Sequence, residues 1–255
     1  VGRYVDDFES ALGEVCGTGD AVATVNGTAA LHICLLLAGV KPGDEVLMPT
    51  LTFVATANAV RYAGAEPHFC DSQRGGIGID IPRLDEYLRD SCKIKNGVCI
   101  NSRTQRAIRA LIVMHTFGHI QQWELVSELA KKYNLIVIED AAESLGSSYY
   151  RHHADNKFAA GSYGHLAAFS FNGNKIVTAG GGGAIVTTDP NLASHAKHLT
   201  TTAKSTKGKA LYHDAVGYNY RMPNINAALA LAQLEQLDNF VGLKRNLASR
   251  YEKAL

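Results

Sequence analysis

Leu166-Ala167-Ala168-Phe169-Ser170-Phe171 is a short apolar run that passes into Asn172-Gly173-Asn174-Lys175 and then into the glycines Gly180-Gly181-Gly182-Gly183. The run reads as a buried strand, and four consecutive glycines read as a tightly packed turn. One lysine is thereby presented at a strand end. Lysines in such places are ordinarily solvated loop charges, but a second strand end supplies a complement. Ile136-Val137-Ile138-Glu139-Asp140 ends on a carboxylate, at the position where open α/β sheets keep their ligands.

Further apolar runs flank these two. Ala21 to Val25, Glu45 to Met48, Glu66 to Cys70, Arg109 to Met114, Leu135 to Glu139, Leu166 to Phe171 and Ala184 to Thr188 have strand length. Stretches with helical spacing lie between most of them: Thr28 to Ala38, Phe53 to Tyr62, Pro82 to Asp90, Gln122 to Tyr133 and Ile225 to Leu237. That alternation predicts an α/β fold with a mainly parallel seven-stranded sheet and helices on both faces. Lys41-Pro42-Gly43-Asp44 and the Gly64 after Tyr62 mark helix ends. Residues 71 to 80 and 147 to 163 are the polar connections with least periodicity, and neither reads as a domain linker.

With 255 residues and 46% hydrophobic content, the chain can bury a substantial core as one large α/β domain. A net charge of +1 without a basic cluster gives no electrostatic basis for nucleic-acid binding. No apolar run approaches the ~20 residues that a membrane-spanning helix needs. The segment Val1 to Glu9 reads as an amphipathic helix with no secretion signal. Five cysteines, Cys16, Cys34, Cys70, Cys92 and Cys99, form no CxxC pair and fit a reducing, cytoplasmic compartment. Cys92 and Cys99 could bridge around a turn or stay as free thiols. No metal site is expected: His115, His119 and the pair His152-His153 have no cysteine or carboxylate at ligand spacing, and they read as solvated or supporting side chains.

Lysine and a strand-end aspartate are the two groups that a pyridoxal phosphate enzyme requires. The amine bonds the cofactor aldehyde, and the carboxylate keeps the pyridine nitrogen protonated so that the ring draws electrons. Asp140 could equally be matched by a structural arginine, since a carboxylate is costly to bury alone. Glu139, one residue earlier, faces the other side of the sheet and reads as structural. Gly27-Thr28 opens a helix, where free amides favour a phosphate but where threonine is also a common cap. Ser170 could satisfy a neighbouring carbonyl, and Phe53 could be core.

Asn26-Gly27-Thr28-Ala29-Ala30-Leu31, the block from Pro49 to Asn58, Glu139-Asp140-Ala141-Ala142-Glu143-Ser144-Leu145-Gly146, Ser170 through Gly183 and Gly217-Tyr218-Asn219-Tyr220-Arg221-Met222-Pro223 follow one another along nearly the whole chain. In these blocks the chain resembles the DegT/DnrJ/EryC1/StrS sugar aminotransferases, a branch of the fold type I pyridoxal phosphate enzymes. The resemblance implies a fold type I large domain over residues 1–240, with 241–255 as the start of a helix leading to a C-terminal small domain outside this chain.

It further implies pyridoxal 5′-phosphate as cofactor and Lys175 as the catalytic residue. Gly27, Thr28 and Ser170 would bind the phosphate, Phe53 would stack on the ring and Asp140 would hold its nitrogen. Asn219 would reach across a homodimer to the neighbour's phosphate. Glu143 departs from the pattern, because many members carry glutamine there; it would lie near the ring hydroxyl. The reaction implied moves an amino group from an amino acid, glutamate in most members, to a nucleotide-linked keto-sugar. The wording Phe171-Asn172-Gly173-Asn174-Lys175 resembles most the subgroup that aminates C4 of a UDP-linked sugar. Two alternatives stand beside it: a sugar dehydratase of the same fold, whose members replace the lysine with histidine, and a non-catalytic regulatory relative or fragment.

Overall fold

The computed structural model describes residues 2–150, 157–205 and 212–255. Helix α1 (Arg3–Cys16) leads into β1 (Asp20–Thr24), α2 (Gly27–Leu37), β2 (Glu45–Pro49), α3 (Val54–Tyr62) and β3 (Glu66–Cys70). Helix α4 (Ile81–Ser91) runs into a hairpin, β4 (Cys92–Lys95) and β5 (Val98–Asn101), before β6 (Ala107–Met114). A single 3₁₀ turn (Thr116–Gly118), α5 (Trp123–Tyr133) and β7 (Ile136–Asp140) follow. A second hairpin, β8 (Ser148–Tyr150) and β9 (Lys157–Ala159), precedes β10 (Leu166–Ser170), β11 (Gly183–Thr187), α6 (Pro190–Thr200), α7 (Asn224–Leu234) and α8 (Leu237–Ala254).

All seven expected strands are present, in the order β1-β11-β10-β7-β6-β2-β3. Strand β11 runs antiparallel to both its neighbours, and the other pairs along this path are parallel. Among the described residues the sheet has nine strands, because the β4–β5 hairpin adds itself antiparallel to the first residues of β6. Its turn is Asn96-Gly97, with both residues at positive φ (49° and 76°). This is the dihedral requirement of a tight hairpin whose twist matches the strands. The expected helix Ile225 to Leu237 is divided, with α8 starting at Leu237 and carrying the residues from 241 onward. Helix α6, which was not anticipated, is capped by Asp189 accepting from Asn191 N–H and has Pro190 at its start.

The period of two along each strand separates the core into layers. On one face Val46, Met48, Ala110, Ile112, Ile138, Ala168 and Ile185 pack under α2, α3 and α6. On the other, Ala167, Phe169, Ala184 and Val186 meet Phe8 and Leu12 of α1 and the α7 side chains, while Leu111, Val113 and Val137 meet α4 and α5. Residues 139 and 140 inherit this alternation. Asp140 falls on the α2/α3 side and Glu139 on the opposite side.

No helix among the described residues is long and apolar enough to cross a membrane. All five cysteines are free and buried, so Cys92 and Cys99 do not form a bridge although they lie on the two strands of one hairpin. Burial pushes the Cys16, Cys70 and Cys99 thiols up to about 12, which keeps them protonated and poor as nucleophiles or ligands.

Candidate functional site

The C-terminal ends of β7 and β10, the N-termini of α2 and α3, and the 172–182 turn enclose one cavity of about 220 Å³. Gly27, Thr28, Phe53, Asp140, Glu143, Ser170 and Lys175 all line it. Seven of the eight residues singled out from the sequence are thereby brought together from five separate segments of the chain. Asn219, the eighth, is not part of this wall. It is exposed, on an extended segment that bridges to Thr201.

The start of α2 forms one end of the cavity. Asn26 caps it, its side chain accepting from Ala29 N–H at 2.8 Å. The capping role considered for Thr28 therefore belongs to Asn26. At a helix N-terminus the first amides have no partner within the helix and carry partial positive charge, so Gly27 and Thr28 bring donors to the cavity. A methyl group at Gly27 would meet Ser170 Cβ at 2.9 Å and the Phe169 carbonyl at 3.2 Å. Glycine is thus what lets the helix start lie against the end of β10, beside the Ser170 hydroxyl. Gly183 does the same for the adjoining backbone, where a Cβ would meet the Asn26 carbonyl carbon at 2.4 Å.

Asp140 is 3% exposed at the base of the cavity. Its Oδ2 accepts from the Thr56 hydroxyl at 2.7 Å and its Oδ1 from Ala142 N–H at 3.3 Å. Burial raises its carboxyl above the usual range, and the Thr56 and Ala142 hydrogen bonds and the nearby His115 and Lys175 oppose that rise. Among the described residues no arginine or lysine forms an ion pair with it, so the structural partner weighed above is not the explanation of its burial. Thr56 lies within the block from Pro49 to Asn58, but no local sequence signal marks it as a partner of Asp140.

Lys175 stands on the turn between β10 and β11. Its Nζ lies 3.6 Å from Glu143 Oε1, with both side chains mostly buried. The other Glu143 oxygen accepts from Phe117 N–H at 2.8 Å. The neck of the lysine turn is closed by Phe171 N–H on the Gly182 carbonyl and Ala179 N–H on the Phe171 carbonyl. Asn226 of α7 donates to the Ala179 carbonyl at 2.8 Å and holds the turn from outside. Phe53 caps the cavity mouth and is 69% exposed, so it is not a core aromatic.

Glu139, on the other face, is fully buried. Its carboxylate accepts from Gly161, Tyr163 and Gly164 N–H and pairs with His115 Nε2 at 2.8 Å. His115 is therefore buried and supporting, not solvated, whereas His119 is exposed. The pair His152-His153 lies outside the described residues. Among the described residues no group of three or more His, Cys, Asp or Glu side chains could hold a metal ion.

The family model described as the DegT/DnrJ/EryC1/StrS aminotransferase family matches residues 1–255. The chain belongs to this family. GDP-perosamine synthase of Escherichia coli O157:H7 is 39% identical over 258 residues, covering 99% of this chain and 63% of that protein. UDP-4-amino-4,6-dideoxy-N-acetyl-beta-L-altrosamine transaminase of Campylobacter jejuni subsp. jejuni serotype O:23/36 (strain 81-176) is 34% identical, covering 99% and 62%. Among solved structures, a DegT DnrJ EryC1 StrS aminotransferase from Brucella abortus superposes with a TM-score of 0.86 at 32% identity, covering 100% of this chain and 64% of the other. DesV of S. venezuelae, solved in complex with a ketimine intermediate, gives 0.84 at 30% identity, covering 98% and 61%. These solved members share the α/β architecture, which is that of fold type I. This DegT-family chain spans less than two thirds of the length of each of these relatives.

Proposed function

We propose that this chain is the cofactor-binding part of a pyridoxal phosphate-dependent aminotransferase that moves an amino group from an amino acid, glutamate by family precedent, to a nucleotide-linked keto-sugar. The observation that carries the proposal is the convergence of Lys175, Asp140 and the Gly27-Thr28/Ser170 donor set on one cavity. A buried carboxylate with no ion-paired arginine or lysine among the described residues, a donor-rich helix start and a lysine at the third corner match the three ends of the cofactor: ring nitrogen, phosphate and aldehyde.

When bound, pyridoxal phosphate supplies an aldehyde that condenses with amines and a ring that withdraws electrons from the adjoining carbon. Everything else falls to the protein. The amides of Gly27 and Thr28 and the Ser170 hydroxyl hold the phosphate. Asp140 keeps a proton on the ring nitrogen, and Phe53 covers the ring face at the cavity mouth. Lys175 Nζ is the group that would hold the cofactor aldehyde, and, once an amino donor took its place there, it would be the base able to carry a proton from the donor's α-carbon. Glu143, 3.6 Å from Nζ, would steady the lysine side chain, and by family precedent it would lie toward the ring hydroxyl. Asn219, exposed on its extended segment, is available to the phosphate of a second subunit, so the complete site is that of a homodimer.

The relatives' names contain both GDP- and UDP-linked sugars, and the UDP-linked 4-keto reading rests on the wording of residues 171–175 and on the Campylobacter relative. Adding pyridoxal phosphate to the protein should produce a visible absorbance band that Lys175→Ala abolishes and that glutamate converts. Mass analysis against GDP- and UDP-linked 4-keto-sugars then identifies the acceptor. A product lighter by water, with no nitrogen gained, would identify a dehydratase instead. A wild-type protein that gives no lysine-dependent band would refute the assignment.

A further inference from the structure

We propose that Thr56, backed by Thr52, is a positioning residue for Asp140, fixing the ionisation and orientation of that carboxylate toward the cofactor's ring nitrogen. This rests on the reading above and assigns a role to two hydroxyls that lie outside the lysine, phosphate and aspartate machinery.

Thr56 is fully buried and sits in the first turn of α3, where its own N–H bonds the Phe53 carbonyl at 3.1 Å. Its hydroxyl lies 2.7 Å from Asp140 Oδ2 and 2.7 Å from Thr52 Oγ1. A threonine hydroxyl has one proton to give. With that proton committed to Asp140, the hydroxyl can only accept from Thr52, and the chain Thr52→Thr56→Asp140 is polarised toward the carboxylate. The Thr56 hydrogen bond favours the ionised acid and counters the desolvation that raises it, and Thr52, by donating to Thr56, keeps that hydroxyl's proton directed at the carboxylate.

Geometry reinforces the chemistry. One carboxylate oxygen is taken by Thr56, while the other has only the long 3.3 Å contact from Ala142 N–H, which leaves Oδ1 as the oxygen available to a new donor. A carboxylate with two free oxygens could rotate between rotamers; one pinned at 2.7 Å cannot do so without breaking a charge-assisted hydrogen bond. The same helix start carries Phe53 at its N-cap and Thr56 in its first turn, so the ring-covering aromatic and the carboxylate's anchor are set by a single backbone segment. Displacement of that segment would disturb both ends of ring recognition together.

The test uses Thr56→Val, which keeps shape and removes the hydroxyl, and Thr56→Ser, which restores it. Binding to Lys175 is titrated by visible absorbance with two probes: pyridoxal phosphate, and 1-deazapyridoxal phosphate, in which carbon replaces the ring nitrogen. Thr56→Val should weaken binding of the natural cofactor roughly ten- to a hundredfold, as expected for loss of a hydrogen bond to a charged group. Binding of the deaza probe should change by less than about threefold, and Thr56→Ser should recover most of the loss. If Thr56→Val does not fold, Thr52→Val gives the same contrast at smaller amplitude. Equal weakening of both probes, or of neither, would overturn the inference while leaving the lysine assignment intact. A wild-type protein that binds neither probe at Lys175 would overturn both readings together.

Discussion

Replacing Glu139 by glutamine removes one charge and one acceptor oxygen from a fully buried site while keeping volume. The two oxygens have separate duties: Oε1 accepts from Tyr163 N–H at 2.8 Å and Gly164 N–H at 2.6 Å, and Oε2 from Gly161 N–H at 2.9 Å with His115 Nε2 at 2.8 Å. An amide can keep only one of these pairs. If its nitrogen faces the backbone pair at 163–164, two buried donors lose their acceptor at about 1–3 kcal/mol each, giving about 2–6 kcal/mol. If it faces His115, the ring can change tautomer and accept at Nε2, but its proton then moves to the buried, partnerless Nδ1 while Gly161 N–H also loses its acceptor; because Nδ1 already lacks a partner, the added loss stays in the lower half of that range. We therefore expect Glu139→Gln to lower unfolding stability by about 2–4 kcal/mol in urea titrations followed by circular dichroism. A local signature should accompany it. The single tryptophan, Trp123, packs against the Tyr163 ring with centroids 5.4 Å apart, so its fluorescence should report loosening of the 161–164 segment. A loss below about 0.5 kcal/mol with unchanged Trp123 emission would refute the reasoning.

Gly27→Ala should force the start of α2 away from Ser170, given the 2.9 Å approach of its Cβ, and lower stability by about 1–3 kcal/mol. Cofactor affinity, read by the same absorbance titration, should fall with it. Asp140→Asn should stabilise the cofactor-free protein at neutral pH. Burial raises the Asp140 carboxyl, so the folded state binds a proton more tightly than the unfolded chain, and the penalty of the ionised form grows as pH rises through the folded value. The advantage of the asparagine variant should fade as pH falls toward the ordinary aspartate range near ~4, as urea titrations at two pH values would reveal. Mixing Lys175→Ala and Asn219→Ala chains should regenerate one wild-type site per hybrid dimer, so the hybrid should bind cofactor more tightly than either parent. No gain on mixing would count against the cross-subunit role of Asn219.

The seven central strands were readable because each is a short apolar run whose burial is dictated by period and length. That Asp140 and Lys175 come together was readable for the same reason, since the end of β7 and the turn after β10 are neighbouring strand ends, and both residues line one cavity there. Other features required spatial knowledge. The β4–β5 hairpin left only a local mark, Asn96-Gly97 between Lys93-Ile94-Lys95 and Val98-Cys99-Ile100, and its strands carry exposed lysines that dilute the apolar signal. Thr56 and His115 owe their places to partners far along the chain, Asp140 and Glu139, and nothing in their immediate neighbours announces it. Asn26 was masked by Thr28, a residue equally suited to cap a helix, and only the observed bond to Ala29 N–H separates them.

The neck of the lysine turn, closed between Phe171 and Gly182, carries one more implication. The turn closes through its own backbone and takes its outside support from Asn226 of α7 and from Glu143 beside the amine, none of which lies in the 147–163 connection, so the entropy of closing this short segment does not depend on that connection's length. The connection at 147–163 can therefore lengthen, shorten or change composition over evolutionary time without dragging the amine off its station. A scaffold built this way can vary that connection while keeping the lysine turn where it is.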